Sequence, residues 1–182
     1  MLVDGLNLHH ALKDLQPDQT NLNIFQLCKS LADSKGATEI QILYFTSITK
    51  HLGSKVRDNQ ALYIKQLEKT GVIIHLGEFR SASKTCPLCF RKFWEHTEKQ
   101  TDVALGAHLI KKTMTEQYDD VLLFSADSDF LPALQMVRHE RPNINLKVVS
   151  TPVYLRPIYG LLHKNEIGTI RISSELASRF QF

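Results

Sequence analysis

The sequence predicts an α/β protein with a central, mostly parallel sheet. Apolar segments rich in β-branched residues alternate along the chain with amphipathic helical segments, and short turns separate them. One strongly apolar run, residues 121–124, is typical of a buried parallel strand. At 182 residues with 43% hydrophobic content, the chain is long enough to form one domain with a sizeable core. We therefore expect a single domain over residues 1–182.

The N-terminal segment predicts a strand at residues 1–4, a tight turn at Gly5 and a helix at 6–15. Pro17 is predicted to end this helix, and a polar link at 18–21 leads to a second amphipathic helix at 22–33. Cys28 lies on the apolar face of that helix, which indicates a buried thiol in the core.

Two further strands are predicted before residue 77. Residues 39–45 and 72–76 are rich in β-branched and aromatic side chains. Between them we predict a helix at 54–69, capped by Ser54 and ended by Gly71. The apolar positions assigned to this helix include Val56, Leu62, Tyr63 and Leu67. The repeated strand and helix pattern favours right-handed crossovers between parallel strands.

The regular pattern breaks between residues 77 and 100, so we predict a small inserted Cys-containing loop or subdomain at about 80–97. A helix at 103–116, a strand at 121–124, a helix at 130–139 and a strand at 146–149 complete the predicted core. The helix at 103–116 is predicted to direct four residues inward, namely Val103, Ala107, Ile110 and Met114. In the tail, residues 152–182, we predict only a short helix near 158–163 and an apolar segment at 168–172.

Four aspartates lie next to predicted strand or helix ends. Asp4 ends the first strand, Asp127 and Asp129 follow the strand at 121–124, and Asp102 begins a helix that enters from the same edge. Sites in open α/β sheets form at the carboxyl ends of the strands, so these four carboxylates are expected to converge. Their mutual repulsion would be relieved by a hard divalent ion, Mg²⁺ or Mn²⁺.

Such an ion supports in-line phosphodiester hydrolysis by polarising a phosphoryl oxygen and activating a water. The sequence therefore predicts that the four aspartates are both catalytic and metal-binding. Asn7 and Ser125 are predicted to support them by positioning a water or orienting a carboxylate. The alternative is structural: one aspartate after the strand caps the following helix, and the other favours its dipole.

Three segments resemble the signature blocks of the NYN domain, the LabA-like branch of the PIN-like nuclease superfamily, in the same order over about residues 1–150. They are Asp4-Gly-Leu-Asn7, Glu98-Lys-Gln-Thr-Asp102-Val103 and Ser125-Ala-Asp127-Ser-Asp129-Phe-Leu-Pro132. The resemblance implies a three-layer α/β/α sandwich with a central parallel sheet and Mg²⁺- or Mn²⁺-dependent ribonuclease activity. It implies the same aspartates as metal ligands and RNA as the partner. A second hypothesis is a catalytically silent RNA-binding or regulatory module that keeps the acidic pocket.

The insert contains Cys86-Pro-Leu-Cys89, a spacing typical of a zinc knuckle or of a redox pair. Zinc needs four ligands, so His96 and either His75 or His51 would have to complete the site. Reduced loop cysteines with no metal are the alternative.

The insert also combines cations with aromatic rings, which is the composition of single-stranded nucleic-acid surfaces. The candidate RNA-binding residues are Arg80, Lys84, Arg91, Lys92 and Trp94, beside Phe90 and Phe93. The alternative is that the rings pack the insert onto the domain and the cations only solvate it.

Composition and charge limit the classes of protein to which this chain could belong. No apolar stretch of 18 residues and no signal-peptide pattern occurs, so we expect a cytoplasmic protein without a membrane segment. Three cysteines do not suggest a secreted disulfide framework. The net charge of +3 permits a polyanionic partner without requiring one. A homodimer stays open, because small α/β domains often pair.

Overall fold

A computed structural model describes residues 1–16, 21–115 and 118–182, and for Lys50 it describes the backbone only. Pro17, most of the polar link predicted at 18–21, and Glu116 at the end of a predicted helix lie outside the described residues.

The described residues form eight strands and seven α-helices. In chain order these are β1 (Leu2–Asp4), α1 (Gly5–Leu15), α2 (Ile24–Asp33), β2 (Leu43–Thr46), α3 (Ser54–Lys69), β3 (Ile73–Leu76), β4 (Glu78–Thr85), β5 (Lys92–Lys99), α4 (Thr101–Thr115), β6 (Asp120–Phe124), α5 (Leu131–Glu140), β7 (Asn145–Ser150), α6 (Pro152–Lys164), β8 (Gly168–Arg171) and α7 (Ser174–Arg179). Short 3₁₀ turns at Lys50–Leu52 and Ser128–Phe130 precede α3 and α5.

Six parallel strands form the central sheet in the order β3-β2-β1-β6-β7-β8. The chain moves outward in one direction from β1 to β3, and in the other direction from β6 to β8. The two directions part between β1 and β6, where Leu2 pairs with Leu123 and Val3 with Phe124. The carboxyl ends of β1 and β6 therefore flank the topological switch point, where open α/β sheets place their ligands.

Helices cover both faces of the sheet and produce three layers. Helices α4, α5 and α6 pack on one face through residues such as Leu105, Leu134 and Leu155. Helices α1, α2, α3 and α7 pack on the other face, where Leu8 and Cys28 are buried. The predicted three-layer α/β fold and the core position of Cys28 are confirmed.

The inward face predicted for α4 is wrong. Val103 is 78% exposed and Met114 is 39% exposed, while Ala107 is exposed and Ile110 only half-buried. The buried positions are instead Thr101, Leu105, Leu109 and Thr113. The hydroxyl of Thr101 donates a hydrogen bond to Glu98 and faces Ser47. These contacts hold the first residue of the helix inward, and the residues four, eight and twelve positions later follow it.

Two details predicted for α3 also differ. Ser54 is the first helical residue rather than the cap, because Gly53 occupies the cap position with φ +88. Val56 and Leu62 are exposed, whereas Tyr63 is half-buried and Leu67 fully buried. Because α3 packs only against the outer part of the sheet, only a narrow stripe of its surface is buried.

The second strand begins at Leu43, four residues later than predicted.

The C-terminal tail, for which only a short helix and an apolar segment were predicted, is part of the α/β body. Helix α6 follows β7 and runs to Lys164, and β8 adds an edge strand to the sheet. Helix α7 packs its Ala177 into the core. No described helix has the length and apolarity needed to cross a membrane.

The insert is a two-stranded antiparallel hairpin, β4 and β5, outside the main sheet. It begins directly after β3 and ends directly before α4. The hairpin thus joins the sheet edge to the helix that carries Asp102.

Candidate active site

Asp4 is the central carboxylate of the switch point. It is the last residue of β1, it pairs with Phe45 of β2, and its side chain is only 5% exposed. Next to it, Gly5 starts α1 in close contact with β2, because a Cβ there would lie 2.6 Å from the Tyr44 hydroxyl and 2.9 Å from the Phe45 carbonyl. The turn from β1 into α1 is therefore pressed against the sheet, and Asp4 is held in place by its backbone.

Both oxygens of Asp4 accept hydrogen bonds. The backbone N–H of Asn7 donates to Oδ1 at 3.0 Å, which makes Asp4 the N-cap of α1. The Ser125 hydroxyl donates to Oδ2 at 2.9 Å, and this contact is buried. Asp4 therefore has a single orientation, fixed by its own helix and by the residue that follows β6.

Asn7 and Ser125 connect the two strand ends. The Asn7 Oδ1 accepts a hydrogen bond from the Ala126 backbone N–H at 3.1 Å. The Ser125 Oγ accepts one from the Asp127 backbone N–H at 3.2 Å while its own proton goes to Asp4. Asn7 and Ser125 thus hold the loop after β6 against β1.

Asp127 and Asp129 lie in the exposed turn that follows. The Asp127 Oδ1 accepts a hydrogen bond from the Asp129 backbone N–H at 2.9 Å, so Asp127 caps the 3₁₀ turn before α5. Pro132 lies in the first turn of α5, as predicted. The capping role considered for one of these aspartates is therefore present in Asp127. Both side chains remain exposed.

Asp102 is exposed in the first turn of α4. Beside it, Glu98 at the end of β5 accepts the 2.7 Å hydrogen bond from the Thr101 hydroxyl. We assigned Glu98 no role from the sequence, although it stands in the block that carries Asp102. The signal for it is a glutamate three residues before a threonine at the start of a helix, where the two side chains can meet.

Electrostatics joins the carboxylates into one cluster. Burial raises the pKa of Asp4 to about 6, with further contributions from the charges of Asp102 and Glu98, and against the opposing hydrogen bonds from Asn7 and Ser125. The pKa of Asp102 is also raised, first by desolvation and then by Glu98, Asp127 and Asp129. Each of the four predicted aspartates therefore contributes to a shared negative potential at this edge, and so does Glu98.

The donor set suits a hard divalent cation, since it consists of carboxylates that repel one another. In the described residues, no three His, Cys, Asp or Glu side chains are already arranged as a metal-binding group. Asp4 is fixed and buried, whereas Asp102, Asp127 and Asp129 are exposed. A cation here would be held by one preformed ligand and by side chains that rotate toward it.

The family profile of the NYN domain matches residues 1–155 of the 182-residue chain. The chain belongs to the NYN domain family. NYN domains are part of the PIN-like nuclease superfamily, act on RNA and generally depend on divalent metals. Comparisons with curated proteins and with solved structures find no significant match.

In this NYN domain the hairpin is built on a tight junction. A Cβ on Gly77 would lie 2.4 Å from the Thr101 hydroxyl and 2.8 Å from both the Lys99 carbonyl and the Ser47 hydroxyl. Only glycine allows the chain to leave β3 here while the other hairpin strand returns alongside to start α4. The base of the hairpin is therefore fixed next to Glu98 and Asp102.

The predicted RNA-binding residues of the NYN domain do not share one face of the hairpin. Side chains alternate along each strand, and directly paired residues lie on the same face. The pairs Thr85–Lys92, Ser83–Trp94, Ser81–His96 and Phe79–Glu98 form the first face. On the opposite face, Arg80 forms an ion pair with Glu78 and Lys84 forms one with Glu95. Arg91 lies in the turn.

The first face leads from the hairpin tip toward the acidic cluster, because Glu98 stands at its lower end. Trp94 is 66% exposed in the middle of this face. Lower down, the His96 ring stacks on His51 at 4.0 Å between centroids, and its Nδ1 is 2.7 Å from the Ser81 hydroxyl.

The structure does not bring the candidate zinc ligands together. His96 pairs with Ser81, four residue pairs below the last pair of the hairpin, Thr85–Lys92. At about 3.4 Å per residue, it lies roughly 14 Å below the tip that carries Cys86 and Cys89. His75 stacks on Phe45 at the sheet, away from the tip. His96, His75 and His51 therefore do not complete a site with the two thiols.

Proposed function

We propose that this NYN domain is a metal-dependent ribonuclease that hydrolyses RNA phosphodiester bonds, with Asp4, Asp102, Asp127 and Asp129 as its catalytic and metal-binding residues. The observation that carries the proposal is the buried Asp4 carboxylate at the switch point of the sheet, whose pKa is raised by its burial and, to a smaller extent, by the charges of Asp102 and Glu98. Uncompensated burial of such a group costs stability, and a bound Mg²⁺ or Mn²⁺ would offset that cost.

The four aspartates differ in how firmly the structure holds them. Asp4 is the fixed ligand, because Asn7 and Ser125 hold both of its oxygens. The exposed Asp102, Asp127 and Asp129 would bind the metal ion from the solvent side. A divalent ion, when bound, polarises the phosphoryl oxygen and lowers the pKa of water. Glu98 adds negative charge beside Asp102 and restrains the start of α4 through Thr101.

The hairpin supplies a path for a single strand of RNA. Lys92 and Trp94 point from the same face that ends at Glu98, with successive side chains about 7 Å apart along β5. A base stacks on the exposed Trp94 ring, and Lys92 binds a phosphate. The opposite face contributes less, since its cations Arg80 and Lys84 are already paired with acids.

The test is cleavage of single-stranded and structured RNAs by the purified protein with Mn²⁺ or Mg²⁺, beside EDTA. An Asp127→Asn, Asp129→Asn variant is expected to lose at least about 100-fold in cleavage rate while RNA binding is kept. The matched control is Asp58→Asn on α3, an exposed carboxylate whose described ion-pair partner is its neighbour Arg57. It should cleave like the wild type.

RNA binding without metal-dependent cleavage would overturn the proposal. It would favour the second function, a silent RNA-binding or regulatory module, which draws on the exposed Trp94 and Lys92 of the hairpin. Equal cleavage by the double variant and the wild type would place the chemistry elsewhere.

A further inference from the structure

The tip of the hairpin presents two cysteines side by side. Cys86 ends the β4 side of the turn, and its backbone N–H donates to the Arg91 carbonyl at 2.9 Å. The Phe90 N–H returns to the Cys86 carbonyl at 2.9 Å, and Phe90 has φ +55. These hydrogen bonds across the turn hold Cys86 and Cys89 within one short closed loop at the tip.

The two thiols have the spacing of a metal-binding pair. Cys86 and Cys89 are separated by two residues, Cys89 is exposed and Cys86 is partly exposed. This C-x-x-C spacing within a hydrogen-bonded turn is typical of zinc knuckles. The exposed Arg91 carries positive charge beside the pair. The turn therefore has the spacing and the charge expected of a two-thiolate zinc knuckle.

One chain supplies only half of the ligands. A structural zinc site is closed by four protein ligands, and the turn offers two sulfurs. The third cysteine, Cys28 of α2, is fully buried in the core. His96 lies roughly 14 Å below the tip by its strand register. In the described part of the chain, no further His, Cys, Asp or Glu joins the pair in a group of three.

The apolar side chains beside the two cysteines favour contact with another protein surface over contact with water. Leu88 is 90% exposed and Phe90 is 79% exposed at the turn itself. Apolar side chains clustered in this way at the end of a projecting hairpin are costly in water. An identical tip would cover them and would bring the two missing thiols with it, in an isologous contact around a two-fold axis.

We propose that Cys86 and Cys89 form half of a zinc site that a second copy of this chain completes, giving one zinc ion bound by four cysteines at the tips of two hairpins. Each zinc would displace four thiol protons and leave a net charge of −2, which Arg91 of both copies would offset. The hairpin thereby joins two nuclease bodies at their insert tips and leaves the aspartate edge of each one open. This inference does not depend on catalysis.

The experiment uses the full 182-residue chain, stripped with EDTA under reducing conditions and then titrated with ZnCl₂. Bound zinc is measured by elemental analysis, and mass in solution by light scattering. We expect binding to saturate at one zinc per two chains, and we expect the mass to double in step with zinc and return on chelation. The Cys86→Ser, Cys89→Ser variant should stay monomeric with at least a tenfold loss of zinc bound.

The matched control is Cys28→Ala, which removes a thiol from the core and should keep both the zinc and the zinc-dependent dimer. Circular dichroism on the tip variant checks that its fold is intact. One zinc per chain in a monomer, no zinc uptake, or a dimer that survives both chelation and the tip substitutions would each overturn the proposal.

Discussion

The Ser125 hydroxyl donates a buried hydrogen bond to the Asp4 carboxylate at 2.9 Å, across 121 residues of sequence. The same Ser125 oxygen accepts from the Asp127 N–H, so one hydroxyl links the fixed acid of β1 to the exposed acids after β6. This contact orients both sides of the proposed metal site.

Asp4→Asn is expected to stabilise the metal-free protein at neutral pH. The pKa of Asp4 in the folded protein, about 6, lies above its ordinary value of 3.8. The folded state therefore holds the proton more tightly, and stability falls as pH rises from about 4 to about 6 and stays lower above that. The separation corresponds to at most roughly 3 kcal/mol. Urea unfolding in EDTA should show the two proteins equal near pH 4 and the variant more stable at pH 8.

Adding Mn²⁺ is expected to reverse that order. The ion binds the folded wild type through Asp4 and raises its midpoint of thermal unfolding, while the Asn variant responds weakly. The Asp58→Asn protein serves as control and should respond like the wild type. A larger response of the Asp4 variant to Mn²⁺ than of the wild type would contradict Asp4 as a ligand.

Ser125→Ala should move the pH dependence of RNA cleavage toward higher pH. The Ser125 hydrogen bond lowers the pKa of Asp4, so its loss raises that pKa further and leaves more of the carboxyl protonated at pH 6. We expect about a tenfold lower rate at pH 6 and a smaller deficit at pH 8. Rates measured over this range with Mn²⁺ test the shift.

Ser150→Ala is the control for that experiment. Ser150 is also buried at the carboxyl end of a strand, but its Oγ has no hydrogen-bond partner in the described part of the chain. An unchanged pH profile is expected for it. If both serine variants shifted the profile equally, the effect would be one of packing rather than of the Asp4 contact.

Gly77→Ala should destabilise the protein by about 1–3 kcal/mol, because the added methyl would overlap the Thr101 hydroxyl and the Lys99 carbonyl at the base of the hairpin. Gly106→Ala in α4 is the matched control. No atom lies within 4 Å of its added Cβ, so it should stabilise by up to about 1 kcal/mol through helix propensity. Chemical unfolding of both variants measures the difference.

Trp94→Ala should weaken binding of single-stranded RNA by about 1–3 kcal/mol, the contribution of one stacked base. Phe93→Ala is its control, since Phe93 is 46% exposed on the opposite face of the hairpin. Binding is measured by fluorescence anisotropy of a labelled oligonucleotide. Each ring substitution is made together with Asp127→Asn, which removes a proposed metal ligand and so avoids cleavage during the titration. Equal losses for both rings would mean that RNA does not follow one face.

Much of the fold and of the candidate site can be predicted from the sequence because the signals are local. Apolar runs predict five of the six strands of the main sheet, all but β8, and helical spacing predicts the helices between them. A parallel sheet brings the carboxyl ends of its strands to one edge. Asp4 and Asp127 could therefore be placed near each other without knowing the strand order. The β-hairpin, in contrast, depends on the pairing of residues seven to twenty-one positions apart, such as Arg80 with Thr97.

What the sequence by itself determined is the alternation of strands and helices, the acids at their ends and the paired cysteines of the insert. The tertiary structure alone decided which face of α4 is buried, because the contact of Thr101 with Glu98 and Ser47 outweighs a second apolar stripe of similar strength. It also separated His96 from Cys86 and divided the hairpin cations between two faces. Strand register decides both, and register depends on which residues pair across space rather than on the order of residues along the chain.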